Sequence, residues 1–154
     1  MSYKRELLEI ANDFFAHQPE ATADEIADWA IRTRRWAPPE DTGRKRLANE
    51  ISRAMAEDKR TDRQGRIVRG KHAARMKRNG RQMVLWSDLD RASRDFMDVA
   101  FKQRRKQIVG DCRQLKVDVD SYNDNSNPGE PIQIPFDFTK DLAEIEALRK
   151  VEAA

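Results

Sequence analysis

The sequence has few residues of the kinds that build disulfides, metal sites or membrane anchors. It contains one cysteine and two histidines among 154 residues. A single cysteine excludes an internal disulfide, and these three residues are too few for a conventional His/Cys zinc site. There is no long apolar run, and the chain begins with a charged, helix-periodic stretch rather than a signal peptide. We therefore expect a cytoplasmic protein, free or associated with the nucleoid, without a metal, a cofactor or a membrane partner.

Glycine is also scarce, and its six copies are scattered singly instead of forming a phosphate-binding loop. Neither His17 nor His72 has a sequence neighbour that suggests a base and nucleophile pair. Asp88 and Asp90 are interpreted as the acidic first turn of a helix that Ser87 caps, where the helix dipole favours acids. We therefore predict that the protein is not an enzyme.

The charge of the chain is strongly segregated along the sequence. Hydrophobic and charged residues make up 38% and 37% of the chain, so the apolar material suffices for one modest core. The net charge of +3 is distributed as −4 in residues 1–43, +12 in residues 44–113 and −5 in residues 114–154. Ten Lys and Arg side chains, against the single acid Asp62, lie between residues 59 and 81. This density favours a polyanionic partner whose counterions are released on binding, and a solubilising basic face is the alternative.

Apolar residues at helical spacing predict three short helices before residue 58. Thr22 and Glu25 match the capping box and start the second helix, and Pro38 and Pro39 forbid its continuation. Residues 41–42, an aspartate and a threonine, can cap the third helix. The buried stripe of the third helix is expected at Leu47, Ile51, Ala54 and Met55.

A basic hairpin is predicted after the third helix. Asn79-Gly80 is the strongest short signal for a two-residue hairpin turn. Pairing outward from this turn sets Arg78 opposite Arg81 and Met76 opposite Met83. One face of the ribbon is then apolar, and it consists of Ala74, Met76, Met83 and Leu85. The other face is mostly basic or polar.

The hairpin is followed by a long helix in the prediction. Proline is absent from Ser87 to Tyr122, which allows a helix of up to about 35 residues. Apolar residues recur along it as a heptad seam that Arg105 interrupts. The seam consists of Phe101, Ile108, Cys112, Leu115, Val119 and Tyr122. A partner helix is the economical explanation for such a stripe, so we predict a homodimer, with packing onto the first two helices as the alternative.

The remainder of the chain is predicted to be a linker and a tail. Residues 123–131 have the composition of a loop. Residues 132–138 are largely apolar, and a small helix follows from Thr139. We expect this apolar segment either to fold back over a groove of its own chain or to dock, with residues 132–148 as the contact, on a partner subunit or another protein.

The order of three helices followed by a basic hairpin resembles the winged-helix variant of the helix-turn-helix. The resemblance covers residues 3–86 and rests on element order and charge placement. It implies a mainly α fold with a small β-hairpin, in which the third helix enters the major groove of DNA. The long connector of residues 58–73 departs from compact winged helices. We accordingly divide the chain into a winged-helix-like domain (1–86), a dimerisation helix (87–122) and a tail (123–154).

The predicted DNA-binding residues lie on the exposed face of the third helix and in the basic stretch. They are Lys45, Arg46, Asn49, Ser52, Arg53, Arg66, Arg69, Lys71, Arg75, Lys77, Arg78 and Arg81. The function expected from them is that of a DNA-binding regulator of transcription, or an accessory factor, of bacterial or phage type. Two alternatives are an RNA-binding module in which Trp86 stacks on bases, and an adaptor without nucleic acid that acts through its long helix.

Overall fold

The computed structural model describes residues 2–37 and 43–153. The described part of the chain contains five helices and two small antiparallel sheets. The elements are α1 (Tyr3–Phe15), β1 (Glu20–Ala21), α2 (Ala23–Arg32), α3 (Arg44–Glu57), β2 (Lys59–Thr61), β3 (Ile67–Arg69), β4 (Lys71–Arg78), β5 (Arg81–Asp88), α4 (Arg94–Asn125) and α5 (Thr139–Ala153). The fold is therefore mixed α and β, and the expectation of a mainly α protein fits it only loosely.

The chain divides into two compact units. Unit 1 comprises residues 1–104, and unit 2 comprises residues 105–154. The helix α4 begins in unit 1 and continues into unit 2. Each helix in the described ranges is too short or too polar to cross a lipid bilayer.

The helices α1, α2 and α3 share the main core of unit 1. The stripe predicted for α3 is buried, and it consists of Leu47, Ile51, Ala54 and Met55. The capping box at the start of α2 is also confirmed, because Thr22 Oγ1 accepts a hydrogen bond from the Glu25 N–H while Glu25 Oε2 accepts one from the Thr22 N–H. Gly43 is the N-cap of α3 and has no side chain to offer. The caps predicted at residues 41–42, like the helix end predicted at residues 38–39, lie outside the described residues.

The strand β5 is the central strand of the larger sheet, between β1 and β4. Its register with β4 is the predicted one, with Arg78 opposite Arg81 and Met76 opposite Met83. Asn79 and Gly80 have φ angles of 53° and 76°, the left-handed conformation that a two-residue turn of this kind requires. The short strand β1, which pairs with the end of β5, was not predicted, because two residues give no periodic signal.

The start of α4 differs from the prediction. Ser87 lies in β5, where it is buried and its hydroxyl donates to the carbonyl of Pro19. The strand continues through Asp88 because its ladder with β4 extends that far. The helix begins only at Arg94, and Ser93 Oγ accepts a hydrogen bond from the Phe96 N–H over 3.1 Å. The prediction that Ser87 caps the long helix was therefore wrong.

The first turns of α4 cover the apolar face of the ribbon. Ala74 and Leu85 are buried together with Phe96 and Ala100, and the two methionines of the ribbon pack beside them. This confirms the predicted apolar face. Farther along the helix, the Gln103 amide accepts from the Arg75 N–H and donates to the Arg75 carbonyl, each over 2.7 Å. The helix is thus attached both to the face of β4 and to its backbone.

The connector between α3 and β4 forms a second hairpin. Lys59 pairs with Arg69, and β2 and β3 are joined by a turn at Asp62–Gly65. Asp62 Oδ1 accepts from the N–H groups of Gln64 and Arg66, at 3.0 and 2.8 Å. The Arg66 guanidinium beside it holds the pKa of Asp62 below its ordinary value. The single acid of the basic stretch therefore organises its turn.

Unit 2 is a helix, a turn and an extended segment that leads into α5. Asn123 Nδ2 donates to the carbonyl of Ile132 over 2.8 Å, and Asn123 Oδ1 accepts from the Ile132 N–H over 2.9 Å. Asn127 holds the intervening turn by donating to the Glu130 carbonyl and accepting from the Gly129 N–H. We call residues 132–138 the strap. The two aromatic side chains of the strap, Phe136 and Phe138, line a cavity along α4. Leu142 of α5 also lines it, as do the α4 residues Arg105, Ile108, Val109, Cys112, Arg113 and Lys116.

Candidate nucleic-acid interface

The outer face of α3 carries three exposed polar side chains in successive turns. Lys45, Asn49 and Arg53 are spaced four residues apart, so they line up along one face of the helix. None of them has a hydrogen-bond or ion-pair partner within residues 2–37 and 43–153. Ser52, beside them, is half-buried. Arg46 is exposed as well, and its guanidinium lies 3.4 Å from Glu50.

The ribbon β4–β5 carries a second set of exposed cations. Arg75, Lys77 and Arg81 are exposed, and their side chains form no ion pair with any described residue. Arg78 differs from them, because it is half-buried and paired with Glu25 at the start of α2. Burial raises the pKa of Glu25, but hydrogen bonds from Arg78 and from Thr22 outweigh it and hold that pKa below its ordinary value. Arg78 therefore fastens the tip of the ribbon to α2.

Lys71 lies in a buried ion-pair cluster instead of at the surface. Its side chain is only 1% exposed, and its Nζ lies 2.9 Å from Asp58 and 3.2 Å from Asp88. Arg60 completes the cluster through Asp88 at 2.9 Å and Asp90 at 3.2 Å. Burial raises the pKa of Asp88, but the Arg60 and Lys71 cations outweigh it and lower that pKa. We therefore leave Lys71 out of the interface.

The close approach of Asp58 to the hairpin depends on a glycine. A Cβ at Gly70 would lie 2.5 Å from Asp58 Oδ2, within van der Waals overlap. The Gly70 N–H donates to the carbonyl of Asp58 over 3.1 Å, and the Gly70 carbonyl accepts from the Leu89 N–H. The cluster was missed in the sequence because its members come from three separate segments.

The hairpin β2–β3 contributes further cations. Arg66 is exposed and paired with Asp62, and Arg69 is exposed at the end of β3. Lys59 and Arg63 are exposed as well and have no ion-pair partner among the described residues, although neither was among the predicted contacts. The charge density between residues 59 and 81 was the sequence signal from which Lys59 and Arg63 could have been predicted as contacts.

His72 lies below this cationic surface. It is 8% exposed, its Nε2 lies 3.1 Å from the carbonyl of Arg69, and its ring meets the Phe101 ring edge-on at 5.4 Å. Burial lowers the pKa of His72, and the guanidinium groups of Arg104 and Arg69 lower it further. Phe101, predicted for the dimer seam, thus has a partner inside unit 1, although half of it remains exposed.

We expect this histidine to make the protein less stable in mild acid. Because its pKa is lower in the folded state, the unfolded chain binds more protons as the pH falls below the ordinary value of 6.5. The free energy of unfolding should therefore decrease from pH 6.5 downwards, until the folded pKa is reached. Urea unfolding of the wild type and of His72→Gln across this range measures the effect. A pH slope that is the same in both proteins would contradict it.

The other residues of the predicted seam lie in unit 2. Ile108, Leu115 and Tyr122 are about half exposed, and Cys112 and Val119 are intermediate in exposure. They share one face of α4, and two of them, Ile108 and Cys112, also line the cavity beside the strap.

Comparisons of the chain with family models, with curated protein sequences and with the solved structures give no match. In the two described ranges, His, Cys, Asp and Glu side chains form no group of three placed to hold a metal ion. The side chains of the α3 face and the ribbon are Lys and Arg cations, the Asn49 amide and the half-buried Ser52 hydroxyl.

Proposed function

We propose that this protein binds duplex DNA through unit 1, with α3 in the major groove and the β4–β5 ribbon on the backbone. The observation that carries the proposal is the pair of neighbouring surfaces without internal partners. One is the α3 face of Lys45, Asn49 and Arg53, and the other is the set of cations on the ribbon. The helix α3 packs against β4, so the two surfaces belong to the same compact unit.

The side chains on the two surfaces are of the types that divide the recognition of DNA between them. Arginine and lysine bind the O6 and N7 atoms of guanine, and asparagine pairs with adenine, when a helix presents them in the major groove. Cations on a hairpin contact phosphates, which fix the register without reading sequence. We assign base reading to Asn49 and Arg53, and phosphate contacts to Arg75, Lys77 and Arg81.

The order of elements supports a winged-helix-like arrangement. Three helices precede the ribbon, and the ribbon is anchored to β1 on one side and to α2 through Arg78. The hairpin β2–β3 is an insertion between the third helix and the ribbon, and its exposed cations extend the basic surface. A regulator of transcription, or an accessory factor of bacterial or phage type, is the role we assign to this arrangement.

The position of Trp86 favours duplex DNA over single-stranded RNA. Recognition of single strands depends on aromatic rings whose faces are free to stack on bases. Trp86 is half-buried and packs against the core formed by α1, α2 and α3. The tryptophan that made an RNA-binding module attractive is therefore used inside the fold.

Binding to labelled duplex DNA, single-stranded DNA and RNA of equal length tests the proposal, with fluorescence anisotropy at two salt concentrations. We expect the duplex to bind most tightly and its affinity to fall steeply with salt, because phosphate contacts release counterions. Tighter binding to RNA would favour the RNA-binding alternative. No binding to any of the three at low salt would refute a nucleic-acid function.

Substitutions on α3 should separate specific from nonspecific binding. On a preferred site chosen from a random duplex library, Asn49→Ala and Arg53→Ala should each weaken binding by about 1–3 kcal/mol, the cost of a lost base contact. Random duplex DNA should lose much less. Asn12→Ala and Arg5→Ala, exposed on α1, are matched controls that should leave both affinities unchanged. Equal losses on both DNAs would reduce α3 to a backbone contact.

A further inference from the structure

Unit 2 leaves most of its apolar surface uncovered. Thirteen of the seventeen large hydrophobic residues that are exposed in the described chain lie in unit 2. The buried residues, by contrast, all come from unit 1 as far as the structure describes them. A unit of this size without a buried core cannot account for its own folding, since small units need added stabilisation such as oligomerisation.

The uncovered surface is arranged as a heptad seam along α4. Ile108, Leu115 and Tyr122 recur every seven residues and remain 51%, 45% and 45% exposed. Cys112 and Val119 fall between them at the alternate positions of the same seam. Two seam residues, Ile108 and Cys112, line the cavity beside the strap, whereas Leu115, Val119 and Tyr122 do not line it. Ile108 is still 51% exposed, so the seam remains open to a second helix.

The charges beside the seam distinguish a parallel from an antiparallel partner of identical sequence. In a parallel coiled coil, a residue that directly precedes a seam residue such as Cys112 lies opposite the residue whose number is higher by five on the other helix. Asp111 would then face Lys116 of a second copy, an attraction that occurs twice by symmetry. Asp111 and Asp118 lie on the same flank of α4. In an antiparallel pair this flank of one helix lies against the same flank of the other, so the aspartates of the two copies repel one another.

Lys116 can exchange its present partner on the same helix for Asp111 of a second copy. Lys116 lies 2.6 Å from Asp120 on the same helix, and its side chain is 63% exposed. Exposed pairs at this spacing are weak, so an interhelical partner can replace the internal one.

We propose that a second copy of this chain covers the open seam, with the two α4 helices parallel over residues 108–122. Each strap stays on the outer flank of its own helix and completes the interface beside Lys116. Specific self-association, and not capture of another protein, is the role of this surface.

Single-cysteine cross-linking of the full chain tests the proposal. In a Cys112→Ser background, Ile108→Cys and Leu115→Cys should each give a disulfide-linked dimer under mild oxidation, because every seam position of a parallel pair meets its own equivalent. Ser121→Cys, on the opposite face of α4, is the matched control and should stay monomeric on a non-reducing gel. Dimers from only one of the two seam positions would indicate an antiparallel pair and overturn the proposal.

Light scattering provides the second measurement. The wild type should have twice the mass of the chain, and Ile108→Asp with Leu115→Asp should halve that mass, with circular dichroism to confirm that the helices of unit 1 remain. Val117→Asp removes a side chain that is 49% exposed away from the seam, and it should leave the dimer intact. A wild-type protein that is monomeric at its highest soluble concentration would overturn the proposal, as would equal effects of Val117→Asp and of the double variant.

Discussion

Replacing Lys71 with alanine should lower the free energy of unfolding by about 3–5 kcal/mol, the loss that follows when one partner of a buried ion pair is removed. The reason is the burial of Lys71 and Asp88, whose side chains are 1% and 7% exposed. Without the lysine, Asp88 shares Arg60 with Asp90, while Asp58 loses the ammonium group that lies 2.9 Å from it. Chemical denaturation followed by circular dichroism measures the loss.

Lys102→Ala provides the matched control for this substitution. Lys102 is also a lysine beside an aspartate, at 2.7 Å from Asp98, but its side chain is 74% exposed. Exposed pairs at this spacing on a helix contribute little to stability, so a much smaller loss is expected. If the two substitutions had equal effects, the cluster around Lys71 would not be stabilising the fold.

Removing the free cations of the ribbon should flatten the salt dependence of the proposed DNA binding. Arg75, Lys77 and Arg81 changed together to alanine should reduce the slope of log affinity against log salt by about 2–3, since each phosphate contact contributes about 0.9. The loss should be similar on preferred and random DNA, because these contacts fix position without reading bases. Titrations at four or more salt concentrations determine the slope.

The control for the ribbon variant must change the net charge by the same amount. Lys140, Arg149 and Lys150 lie on α5 in unit 2, and their triple alanine variant also loses three positive charges. We expect it to retain the wild-type slope. If both triple variants flattened the slope equally, net charge rather than the ribbon would determine the affinity.

Features encoded over short distances could be predicted from the sequence. The capping box of α2 needs only two residues three positions apart, and the stripe of α3 follows from one periodicity. The register of the ribbon is determined by Asn79-Gly80 alone, because a two-residue turn leaves one way to pair the strands. These are also the features that orient the proposed DNA-binding surfaces.

Features that depend on distant partners could not be predicted. Serine is a residue type that favours helix N-caps, yet the pairing of β5 with β4 and β1 keeps Ser87 in a strand. Lys71 looks like any other cation of a basic stretch, and its burial depends on carboxylates that other segments bring to it. Tertiary contacts overrode the local sequence signal in both cases. For this reason the predicted set of DNA-binding residues included Lys71, which is buried.

The amide of Gln103 has a consequence for the behaviour of the protein at high concentration. The strand β4 lies at an edge of its sheet, and the free N–H and C=O groups of an edge strand are a template on which another chain can add. At Arg75 the Gln103 side chain occupies both groups, as a peptide of a neighbouring strand would. The cations of Arg75 and Lys77 repel a second edge of the same kind. The long helix therefore blocks the edge of β4 at Arg75, and we expect this contact to oppose strand-mediated aggregation of the ribbon.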